Sequence, residues 1–87
     1  MSIGEQVHVG NGGTFDGDGL SFGGSYHLPA TDQKPERVIV SLWDGKSSER
    51  DFELSVGQAL EFAGQTWRLD EIDDSGPRWY ATFTRVA

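Results

Sequence analysis

From Arg37 to Val86 the chain repeats one pattern at about ten-residue spacing: a short run alternating between apolar and polar side chains, then a cluster of turn formers. Such alternation places every second side chain on the same face of an extended strand, and a helical period cannot reproduce it. In Arg50 to Leu54, Phe52 and Leu54 fall on one side and Asp51 and Glu53 on the other. In Arg78 to Val86, Trp79, Ala81 and Phe83 oppose Tyr80, Thr82 and Val86. Ala59 to Phe62 and Gln65 to Ile72 flank Ala63-Gly64 as the arms of a hairpin. Asp44-Gly45, Ser55-Val56-Gly57 and Asp73 to Pro77 supply further turns. Asp44-Gly45 suits a two-residue turn whose central residues both have positive φ.

Arg37 to Trp43 carries apolar residues on both faces, with Val38, Val40 and Leu42 on one and Ile39 and Trp43 on the other. Two apolar faces predict the most buried strand. We expect the first set in the core, Ile39 internal and Trp43 at a rim beside the following turn. Glu5 to Val9 alternates as a half-buried strand does. Gly10 to Gly24 holds seven of the twelve glycines and reads as a glycine-rich loop region, with tight turns around one short strand from Leu20 to Phe22. Ser25 to Leu28 predicts another short strand, and Pro29 to Pro35 a polar connection. Residues 1–87 are therefore expected to form a single all-β domain, a small antiparallel β-sandwich or barrel of five to seven strands. Helix is expected to be limited to a turn or two, with room for one helical turn in Ser55 to Phe62.

At 87 residues, such a domain buries only about 60% of the surface its unfolded chain exposes. That leaves little room for a pocket of several hundred cubic ångströms beside the core. With no cysteine, neither a disulfide nor a thiolate metal site supplements that core. A net charge of −7 repels phosphate backbones and anionic lipid, so neither nucleic acid nor membrane is an expected partner. Met1 to Gly10 contains no basic n-region and no apolar run, and no stretch approaches the roughly 20 apolar residues of a spanning helix. The expected compartment is the cytoplasm.

The run from Val38 to Val86 includes Phe52-Glu53-Leu54, Val56-Gly57, Ala63-Gly64, Trp67 to Ile72 and Thr84-Arg85-Val86. It resembles a family of short actinobacterial proteins of unknown function, over the C-terminal half of the chain. The resemblance implies a β fold and a bacterial cytoplasmic origin, and it carries no chemistry.

Motifs for catalysis are sparse. Asp16-Gly17-Asp18-Gly19 begins like a calcium loop, but Leu20 stands where a third oxygen ligand belongs, so an acidic solvated turn is expected. His8 and His27 are the only imidazoles, and two histidines without a partner motif predict no metal site. Asp70 and Glu71, adjacent on a strand, are expected to point to opposite faces and so not to share a proton. Asp73 and Asp74 read as turn formers. The glycines match neither a dinucleotide fingerprint nor a P-loop, and no cofactor is expected.

Aromatic side chains are the remaining signal. Trp43, Trp67 and Trp79 serve first as core candidates, and second as members of a binding surface that Tyr26 and Tyr80 could join. The expected function is non-catalytic: an acidic domain that presents an aromatic-centred surface to a protein partner or to another copy of itself. The alternative is a small enzyme or ligand-binding barrel whose mouth is lined by His8 or His27 and carboxylates such as Asp16 or Asp18. A concave pocket holding a histidine together with a carboxylate would favour the alternative.

Overall fold

The computed structural model of the chain describes residues 3–10, 14–17, 19–46 and 48–87. The described residues form eight strands and no helix. These are β1 (Gln6–Gly10), β2 (Thr14–Gly17), β3 (Leu20–Leu28), β4 (Arg37–Trp43), β5 (Arg50–Leu54), β6 (Ala59–Phe62), β7 (Gln65–Asp73) and β8 (Tyr80–Arg85). They make two antiparallel four-stranded sheets, ordered β1-β8-β7-β6 and β2-β3-β4-β5. Both sheets are open, so the arrangement is sandwich-like and not a closed barrel. None of the helices that would be long and apolar enough to cross a membrane is present among the described residues.

The alternation read from the sequence is the one that builds the core. Val38, Val40 and Leu42 of β4 are fully buried, as are Val7 and Val9 of β1 and Leu69 and Phe83 of β7 and β8. Rings from the two sheets meet at the centre, where Phe22 lies edge-on to Trp67 at 5.1 Å between centroids and tilted against Phe83 at 5.9 Å. Such offset ring pairs add to the burial of the large aromatic surface. Trp67 Nε1 donates to Gln65 Oε1 at 3.1 Å, so the polar atom of the buried indole is satisfied.

Several expectations change. The strands number eight, because the glycine-rich segment between Gly10 and Gly24 contributes β2 and most of β3. Leu20 to Phe22 and Ser25 to Leu28 are one nine-residue strand, joined through a bulge between Gly24 and Tyr26. Glycine tolerates this path: a Cβ on Gly24 would stand 2.1 Å from the Gly10 carbonyl oxygen, where the end of β1 crosses close over β3. Asp44-Gly45 does not close a two-residue hairpin, since β4 ends at Trp43 and β5 starts at Arg50. Asp44 Oδ1 instead accepts the Lys46 amide at 2.8 Å, a side-chain turn that competes with the tight hairpin. Ala63-Gly64 does form the two-residue turn, with φ of 54° and 77° and Phe62 opposite Gln65.

A second bulge interrupts β7. Leu69 pairs with Phe83 and Glu71 with Thr82, leaving Asp70 as the extra residue. Strict alternation therefore fails there, and Asp70 and Glu71 both face outward instead of to opposite sides.

Candidate functional site

Strand β4 buries its even-numbered side chains and turns Arg37, Ile39, Ser41 and Trp43 outward. Its neighbours extend that outer face. Tyr26 stands opposite Ile39 on β3, and Glu53 and Asp51 stand opposite Ile39 and Ser41 on β5. The bulge in β3 is what turns Tyr26 outward beside Ile39. Trp43 is 47% exposed and Tyr26 64% exposed, while Ile39 is half-buried between its neighbours and not internal as expected. Gly23 sits opposite Ser41 and contributes no side chain between Tyr26 and Trp43. The result is an apolar and aromatic strip along β3 and β4, about 13 Å from Ile39 to Trp43 by strand rise.

Carboxylates border this strip on the β5 side. Ser41 Oγ donates to Asp51 Oδ1 at 2.5 Å, and Arg37 Nε donates to Glu53 Oε2 at 2.6 Å. Both acids are held in place on an exposed sheet surface, so the rim is ordered by its own partners.

The other aromatic candidates lie elsewhere. Trp67 is fully buried and Trp79 nearly so, which assigns both to the core and removes them from any surface. Their positions on the inward faces of β7 and of the approach to β8 leave no other outcome. Tyr80 is exposed, but on the outer face of the opposite sheet. There its hydroxyl donates to Asp73 Oδ2 at 2.9 Å, and its ring meets the His8 ring edge-on at 6.1 Å. The Ser75 hydroxyl and amide, together with that phenol, hold the Asp73 carboxyl below its usual range, and Asp73 in turn pushes the Tyr80 phenol up. This face is polar, with His8 Nδ1 3.0 Å from Thr82 Oγ1 and Asp70 bonded to both Arg68 and Thr84.

A cleft of about 720 Å³ opens between the β4–β5 connection and the β6–β7 hairpin, lined by Asp44, Ser48, Arg50, Glu61, Gln65 and Thr66 among others. It is larger than the chain length suggested. Such a volume is possible because the cleft lies between the loop ends of the two sheets, where it reaches the core only at Phe62. No histidine lines it. The calcium reading of Asp16 and Asp18 lies outside the described residues, since the Asp16 side chain and the whole of Asp18 are not among them.

His27 is the residue whose surroundings the sequence did not foretell. Its Nε2 lies 2.7 Å from Glu36 Oε2 and 3.7 Å from Asp74 Oδ2. The bulge turns it inward, next to Val38 on β4 in register and against the Trp79 ring. Gly23-Gly24-Ser25 is the one local signal for such a bulge.

A family model for a family of unknown function, DUF6406, matches residues 4–87. The chain belongs to that family. The DUF6406 match takes in the glycine-rich segment as well as the C-terminal half, so β2 and β3 are part of the family pattern. Neither a curated protein nor a solved structure matches the chain.

Proposed function

We propose that this DUF6406 protein is a non-catalytic interaction domain of a bacterial cytoplasm, which docks a protein partner on the outer face of β3 and β4. The observation that carries the reading is the placement of Trp43, Ile39 and Tyr26 on one sheet face with Asp51 and Glu53 along its edge. Exposed Trp and Tyr beside a charged border match the composition of binding hot spots. A net charge of −7 makes a second copy of the chain an unfavourable occupant and a basic partner a favourable one. The enzyme reading draws no support from the cleft, whose lining includes Asp44, Glu61 and Arg50 and neither histidine.

The test compares wild type with Trp43→Ala as bait in a lysate of the source bacterium, read by mass spectrometry, alongside chemical denaturation of both. Trp43→Ala should keep its unfolding midpoint and lose a basic partner that wild type retains, with binding weakened by about 2 kcal/mol or more. An identical set of captured proteins, or loss of stability in the variant, would place recognition elsewhere.

A further inference from the structure

We propose that His27, Glu36 and Asp74 bind one divalent transition-metal ion of the zinc type, at a site separate from the aromatic face. The three residues come from three segments: the end of β3, the residue before β4, and the connection from β7 to β8. Their ligand atoms all lie within 4.8 Å of one another, which is compact enough for a single ion to touch each with small side-chain shifts.

The imidazole is already placed for this. Its side chain is 12% exposed, and the ring packs at 6.1 Å from the Trp79 ring, tilted by 33°. That packing fixes where Nε2 points. Nε2 lies 2.7 Å from Glu36 Oε2, and a single Nε2–H can serve only one carboxylate. Asp74, at 3.7 Å, accepts no hydrogen bond among the described residues. A divalent cation in the place of that single proton would engage all three groups and offset two negative charges.

Ligand chemistry selects the metal class. One imidazole nitrogen with two carboxylate oxygens suits zinc and its neighbours, whereas calcium and magnesium prefer oxygen alone. Three protein ligands leave a fourth position for water. Asp74, 57% exposed, forms the open side through which an ion enters. Bound there, the ion would tie the β3–β4 end of one sheet to the β7–β8 end of the other.

Zinc chloride titrated calorimetrically into the chelator-treated, full-length chain should show one equivalent binding at micromolar concentration, and zinc should raise the Tm. Asp74→Asn changes an exposed side chain, so it should keep the zinc-free Tm while weakening zinc binding at least ~10-fold. His27→Ala should abolish binding. Magnesium chloride at the same concentration should give no comparable heat. Absence of zinc binding by wild type overturns the assignment. So does binding that survives both substitutions, or binding that His8→Ala removes, because His8 lies on the outer face of the other sheet.

Discussion

Gly24 shows how much one missing methyl group decides. The β1 backbone passes so near β3 that a Cβ at this position would meet the Gly10 carbonyl carbon at 2.8 Å and the Trp79 ring at 3.1 Å. Both obstacles, one main chain and one a large ring, cannot swing aside as the end of a lysine would. Gly24→Ala should therefore destabilise the protein by about 2 to 3 kcal/mol, a substantial part of what holds a small domain together. A denaturation midpoint that leaves stability within about 0.5 kcal/mol of wild type would mean that β1 has room to retreat. Trp43 is the contrasting case. It lies on the same sheet, yet its exposed ring contributes to a surface and not to the packed interior.

At the scale of the strand, β4 offers a matched comparison of its two faces. Val40 is fully buried and lies opposite Phe52, whereas Ile39 faces outward beside Tyr26. Val40→Ala should cost about 2 kcal/mol or more through lost transfer energy and the cavity left behind. Ile39→Ala should cost about 1 kcal/mol or less, because water replaces most of what is removed. Equal losses in the two variants would show that the outer face is covered in solution.

Strands β7 and β8 carry the pH response. Asp70 accepts from Arg68 Nε at 2.5 Å and from the Thr84 hydroxyl, and the Arg68 bond is the larger reason its carboxyl lies below the ordinary range. The unfolded chain lacks those bonds and protonates nearer the usual value of about 3.9. Their stabilisation is complete above that value and is lost as pH falls through the lower folded one. Stability measured from pH 6 down to pH 2 should fall more steeply in wild type than in Asp70→Asn, and parallel curves would assign acid sensitivity to other carboxylates.

For the molecule as a whole, sequence periodicity was enough to find the strands from Arg37 onward, the Ala63-Gly64 hairpin and the inward set Val38, Val40 and Leu42. Each of those rests on neighbours within one strand or one turn. Gly10 to Gly24 read as loop because glycine has weak strand preference, and there the pairing supplied by β4 overrides it. The bulges at Ser25 and Asp70 also escaped, since an inserted residue leaves the composition of a strand unchanged while reversing every facing beyond it. That reversal separates Tyr26 from His27, sending one to the aromatic face and the other toward Glu36 and Asp74. Residues 27, 36 and 74 meet only through the topology, so no local spacing announces them.

The strand order also dictates when each sheet can assemble. In β2-β3-β4-β5 every strand pairs with its neighbour in sequence, so this sheet can zip up from short loops alone. The other sheet cannot, because β1 waits for β8: Gln6 and Thr84 are hydrogen-bonded partners separated by 78 positions. During synthesis β1 leaves the ribosome with no strand to pair its backbone until β8 has been made. High contact order of this kind makes folding slow, and it leaves β1 as the segment that a chaperone or a neighbouring unfinished chain meets first.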